Sequence, residues 1–239
     1  MDVRFRWSVP DSGHEWRQRK GDLRLVWKEE KRGGFATEYR PECKLFREFA
    51  ALGVTRSRQA ELILRFANKY GDILALPGSS FIRYLGEDAP SPEGGEYRKI
   101  IRSHATLRMW RHTIQQMRQA VDLWDQSNDG TIGKPARLKA RSALQVEIEV
   151  ILRNMTTPSC TRVCLNQKME LFVYPVNLLA FMWVTLARLV TGEIVEQPCL
   201  GKSKKCLKYI YTGLGTGLKK TGTVTCSVAC RKWKERQSG

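Results

Sequence analysis

The sequence predicts an α+β fold, mostly helical, and three observations carry that expectation. Apolar residues alternate at period two only near the start and again near residue 170, whereas elsewhere they recur every three or four residues. Residues 199–239 gather four cysteines among lysines and arginines, with few large apolar side chains to build a core. The expected arrangement is a small N-terminal β-hairpin, a helical body, a short second sheet, one buried helix and a cysteine-rich ribbon. The boundary between body and ribbon is placed between 1–192 and 193–239.

The hairpin is read from Val3–Trp7 and Leu23–Trp27, each alternating apolar with polar residues, with Gly13 and Gly21 between them. Arg4, Arg6 and Arg24 would then line a solvated face. Leu45, Phe46, Phe49 and Leu52 mark a helix ending at Gly53. A second helix, capped by Thr55 or Ser57 and stopped by Gly71, carries Ala60, Ile63, Leu64 and Ala67 on its inner face. Residues 77–97 are rich in Pro, Gly, Ser and acids and read as a loop. The clearest helix follows: Leu107, Trp110, Ile114, Met117, Val121 and Trp124 form one continuous stripe, closed by Ser127-Asn128-Asp129-Gly130. Core packing is its ordinary meaning, with Arg102, Arg108, Arg111 and Arg118 on the outside. A further helix over 137–154 faces Leu144, Ile148 and Ile151 inward. Residues 168–174 read as a strand ended by Pro175, and the apolar helix 176–190 is stopped by Gly192.

Charge narrows the function. The chain has 41 Lys and Arg against 24 acids, a net of +17, which favours polyanionic partners. Residues 199–239 hold ten of these cations against the single acid Glu235, a local net of +9, whereas the first forty residues net only +3. The start of the chain carries charges where a signal peptide needs an apolar core, so a cytoplasmic location is expected. The longest apolar run, Val176–Val190, includes Asn177 and Arg188 and falls short of the roughly 20 residues a membrane span needs. No membrane partner is expected.

Seven cysteines in such a chain suggest metal ligation in a reducing compartment more than disulfides. Cys199, Cys206, Cys226 and Cys230 spell C-x6-C-x19-C-x3-C, enough thiolates for a closed tetrahedral Zn2+ site. Zinc would supply folding energy to a polar segment with little core of its own. The pair Cys226 and Cys230 has the usual knuckle spacing; the pair Cys199 and Cys206 is wider. The fourth ligand is therefore Cys199 on a longer loop, or a replacement from Cys160 and Cys164, a second C-x3-C pair that otherwise reads as buried thiols around a hairpin. Cys43 stands alone and reads as core. The competing reading of the tail is four free cysteines in a basic extension.

The stretch Lys205–Tyr211 (KCLKYIY), then a glycine-rich basic loop, then Thr225–Lys232 (TCSVACRK), resembles the C-terminal zinc ribbon of a widespread group of bacterial proteins. Their tails read C-x2-C-G-x-x-F and Y-C-S-x-x-C-R, followed by a basic helix, and they are akin to CGNR-type zinc fingers. Leu62–Gly71 (LILRFANKYG) resembles an upstream element of the same group. The first cysteine pair here is C-x6-C, and Arg231-Lys232 stand where CGNR proteins have Gly-Asn-Arg. The resemblance implies a zinc-binding, DNA-binding transcription regulator.

The function expected is nucleic-acid binding, DNA more than RNA, in a regulatory role. Lys202, Lys204, Lys205, Lys208, Lys219 and Lys220 from the loop, with Arg231, Lys232, Lys234 and Arg236 beyond Cys230, would meet phosphates. Trp233, Tyr209 and Tyr211 would stack on exposed bases, or more plainly form the ribbon's small core. The alternative is a protein-interaction module whose zinc-stapled basic tail docks an acidic partner. No catalytic constellation is legible. His14, His104 and His112 sit in no pattern with acids or cysteines, and Gly213–Lys219 lacks the spacing of a phosphate-binding loop.

Overall fold

The computed structural model describes residues 7–28, 36–39, 41–54, 57–73, 105–155, 161–165, 171–175, 177–200, 206, 209–213 and 223–237. Among these residues the architecture is α+β: six helices and four two-stranded antiparallel sheets. Strands β1 (Trp7–Pro10), β2 (His14–Arg19), β3 (Asp22–Trp27) and β4 (Ala36–Tyr39) precede helices α1 (Leu45–Ala51), α2 (Gln59–Tyr70), α3 (Leu107–Asn128) and α4 (Lys134–Met155). Then come β5 (Thr161–Leu165), β6 (Leu171–Pro175), α5 (Leu178–Val190), β7 (Ile194–Pro198), β8 (Tyr209–Gly213) and α6 (Val228–Gln237).

The N-terminal pairing differs from the one expected. Leu23–Trp27 lies in β3, but its partner is β2, with Trp16 opposite Leu25 and Arg19 opposite Asp22. The turn between them is Lys20-Gly21, both at positive φ (49° and 83°), which suits the right-handed twist of a two-residue hairpin. So short a turn leaves Trp7 to find another partner, Tyr39 of β4. Residues 3–6 lie outside the described residues, as does the expected loop 77–97. Strand β2 escapes an apolar reading because Trp16 is its only large apolar residue, although His14 is buried at 1% exposure.

The helices form for the reasons their sequences suggest. Trp110, Ile114, Met117 and Val121 are buried along α3, with Leu107 and Trp124 packed at the edges of the core. Thr106 caps α3, accepting from the Met109 N–H at 3.2 Å. Helix α2 begins one residue after Arg58, which makes no side-chain cap, so Ser57 does not serve as the cap; Thr55 is outside the described residues. Gly71 ends that helix at φ +91°, donating to the Ala67 carbonyl at 2.7 Å. Leu144, Ile148 and Ile151 face inward from α4.

Helix α5 is buried nearly all round, with Leu178, Met182, Trp183 and Leu186 in the core. Asn177 caps it through the Ala180 N–H at 2.8 Å, and the Leu179 N–H donates to the Ile73 carbonyl at 3.1 Å. No described helix is long and apolar enough to cross a membrane. Pro175 falls inside β6 rather than after it, opposite Thr161. At the centre Phe49 meets Phe66 (5.5 Å between ring centroids) and Trp110 (6.1 Å). The core continues past residue 192, since Ile194 of β7 and Tyr211 of β8 belong to it.

Candidate metal centre

The hairpin β7–β8 has two faces, and each is occupied. Glu196 is opposite Tyr211, and Gln197 is opposite Ile210. At period two, Ile194, Glu196 and Tyr211 share one side while Gln197 and Ile210 share the other. The first side lies on the helical body: Tyr211 meets Phe46 of α1 edge-on, centroids 6.4 Å apart. The second side carries Ile210 into a separate small cluster with Cys199 and Cys230, against which Cys206 and Cys226 pack.

Chain order explains how four cysteines reach that second face. Cys199 is the residue after β7, and Cys206 lies three residues before β8. The returning segment is tied back by the Leu200 N–H donating to the Val224 carbonyl (2.9 Å) and Gln197 Nε2 donating to the Thr223 carbonyl (2.6 Å). Cys226 is thereby set beside Cys199, and its N–H donates to Cys199 Sγ at 3.1 Å. Ser227 then caps α6 by accepting from the Cys230 N–H at 3.2 Å, which turns Cys230 inward one helical turn after Cys226.

The four sulfurs lie within 4.8 Å of one another, close enough to hold one metal ion. Three separations are 3.6 Å (Cys206–Cys226), 3.4 Å (Cys226–Cys230) and 3.8 Å (Cys206–Cys230). Each is far beyond the roughly 2.05 Å of a disulfide. Burial and the neighbouring thiols Cys230, Cys199 and Cys206 push the Cys226 thiol up to about 12, so this crowding resists ionisation until a cation supplies the compensating charge.

Of the fourth-ligand alternatives, Cys199 is the one the described residues bring to the other three. Cys160 lies outside them, and Cys164 sits in β5 opposite Phe172. Of the expected phosphate contacts, Lys202, Lys204, Lys205, Lys208, Lys219 and Lys220 also lie outside the described residues. Arg231, Lys232, Trp233, Lys234 and Arg236 all fall on α6, with Arg231, Lys232 and Arg236 exposed. Arg231 is 3.8 Å from Glu235 on the same helix.

The aromatic residues separate in a way the spacing does not reveal. Tyr211 is buried in the main core and its hydroxyl donates to Glu196 Oε1 at 2.5 Å, so it is neither a base-stacking platform nor part of the ribbon's own core. Tyr209, 49% exposed, has the Arg47 guanidinium over its ring at 4.9 Å. Among the described residues, the ribbon's small core is sulfur and Ile210 rather than aromatic.

Two residues that sequence reasoning passed over dominate the contact with the body. Arg47 of α1 donates to Glu196 through Nε and Nη2, both at 2.6 Å, and also reaches Asp125 of α3 at 2.8 Å. Trp124 Nε1 donates to Glu196 Oε2 at 3.1 Å. Burial alone would raise the Glu196 carboxyl; the bonds from Arg47 and Tyr211 outweigh it and hold the group below its usual value. The only clue in the sequence is an acid on a short strand beside a very basic tail.

Comparison with protein-family models, curated proteins and solved structures finds no match for this chain. The functional reading therefore stands on the residues and their geometry.

Proposed function

We propose that this chain binds nucleic acid, DNA more than RNA, through a basic tail that a zinc ion holds in shape, and that it acts as a regulator of the kind its resemblance implies. The observation that carries this reading is the convergence of Cys199, Cys206, Cys226 and Cys230, with a basic helix starting between the last two. A tetrahedral zinc with Zn–S bonds of about 2.3 Å has sulfur–sulfur edges of about 3.8 Å, close to the separations above. Four thiolates leave no open position, so the ion is structural. Such a site suits a reducing compartment, the cytoplasm among them.

Helix α6 would present Arg231, Lys232 and Arg236 to phosphates, and loop lysines would extend the contact. With four cations engaged, a fourfold rise in salt should weaken DNA binding on the order of 100-fold. The test is metal analysis of the purified protein together with a gel-shift titration on duplex DNA and RNA, with and without chelator. Stoichiometric zinc and retention of DNA that falls with salt and with chelation are expected; no retention at low salt by the zinc-loaded protein would overturn the nucleic-acid reading.

One observation favours a second reading, the zinc-stapled dock for an acidic protein. Leu200 and Val228, beside and between the cysteines, are 53% and 58% exposed, and aliphatic groups contribute little to phosphate binding. Zinc-loaded protein that ignores DNA but retains an acidic partner after nuclease treatment would select it.

A further inference from the structure

The cysteine cluster and the helical body touch opposite faces of one thin plate, the hairpin β7–β8. Ile210 packs on the sulfurs from one side. Glu196 and Tyr211 meet α1 and α3 from the other. Cys199 leaves the plate immediately after Pro198, and the chain from Cys206 enters it at Tyr209, so the plate's position sets where two of the four sulfurs begin.

Beside the apolar packing of Ile194 and Tyr211, the plate is held by one carboxylate with its hydrogen-bonding capacity filled. Glu196 has a side-chain exposure of only 5% and accepts from Arg47 twice, from Trp124 and from Tyr211. The donors come from α1, α3 and β8. Sliding or tilting the hairpin against the body would break bonds in several directions at once and leave buried charge unpaired. A two-stranded hairpin alone has little stability of its own, and these bonds supply the missing restraint.

We propose that Arg47 and Glu196 are positioning residues of the metal centre, so that the helical body sets how tightly the tail holds its ion. This rests on the metal reading above. Groups bonded directly to metal ligands contribute about 10–100-fold to metal affinity; Glu196 acts at one remove, through the hairpin, and a loosened hairpin leaves the ion to do the ordering itself. By reciprocity, the ion tightens the contact of the hairpin with α1 and α3.

The test uses the full reduced chain and measures Zn2+ affinity by competition with a chromophoric chelator, and the visible bands of the Co2+-substituted protein. Glu196→Gln keeps the shape of the side chain but removes the charge that Arg47 answers. Tyr211→Phe removes one donor and keeps the ring, so it remains informative if the first variant fails to fold. Phe66→Leu, in the core away from the plate, serves as the control for lost stability. Glu196→Gln should weaken Zn2+ binding roughly tenfold or more, Tyr211→Phe less, with altered Co2+ bands in both, while Phe66→Leu leaves affinity and bands unchanged.

Wild-type affinity and bands in both plate variants, with zinc bound stoichiometrically by the parent, would overturn this inference and leave the metal reading standing. An equal loss in Phe66→Leu would also overturn it, because the effect would then be general destabilisation. A parent protein that binds neither ion removes the metal reading, and this inference with it.

Discussion

His14 illustrates how a single side chain departs from its sequence expectation. It sits on a strand whose one large apolar residue is Trp16, yet it is buried, and its backbone N–H donates to Asn68 Oδ1 at 2.5 Å. Burial pulls the pKa of its imidazole from 6.5 down to about 4, with a separate side-chain hydrogen bond to Asn68 opposing. Between those values the unfolded chain binds a proton that the folded chain excludes, so stability rises with pH across this window and is fully present above 6.5. The contribution lost on going down to pH 4 is about 3 kcal/mol. Urea unfolding of the parent and of His14→Gln between pH 7 and pH 4 should show the steeper loss in the parent; parallel curves would contradict the assignment. Cys226 and Glu196 belong to the same scale: the residue type is visible in the sequence, but its ionisation is decided by burial and by the neighbours that folding brings to it.

Elements divide by how local their causes are. Helix α3 is legible because its stripe and its terminal Asn128-Asp129-Gly130 lie within one stretch of chain; the Thr106 cap is equally local but emerges only in the structure. Helix α5 is legible for the same reason. The hairpin β2–β3 is only half legible: β3 alternates, while β2 is polar and becomes a strand because the Lys20-Gly21 turn folds it onto β3. The plate β7–β8 depends on one backbone position. Gly213 stands at φ +147°, and a Cβ there would lie 2.5 Å from the Glu193 carbonyl oxygen. Gly213→Ala should therefore destabilise the protein by about 1–3 kcal/mol, read as a lower urea midpoint. An unchanged midpoint would mean that the hairpin's end is not held as described.

At the scale of the molecule, one core runs from the N-terminal strands to β8, and the cysteine cluster is a satellite attached through a shared hairpin. Removing the ion should therefore act on the whole rather than on the tail alone. With free zinc about a thousandfold above its dissociation constant, binding contributes about 4 kcal/mol to stability. At about 2–4 °C per kcal/mol for a chain of this size, chelation should lower Tm by about 10 °C in one cooperative transition. Calorimetry with and without chelator checks this. A body transition that ignores the chelator would contradict the sharing of the hairpin.

Periodicity, composition and side-chain chemistry are local properties, and they suffice for the helical α+β class, the buried α5 and the choice of sulfur as the candidate ligand. Which sulfurs meet is a different kind of fact. Cys199 joins Cys206, Cys226 and Cys230 because strand pairing and the bond from Leu200 to Val224 bring chain ends together across more than twenty residues. Tyr211 and Tyr209 share one face of β8, yet Tyr211 reaches Phe46 in the core while Tyr209, at the strand's first position, stays half-exposed beneath Arg47. Such outcomes arise from contacts between elements, which one-dimensional spacing does not encode.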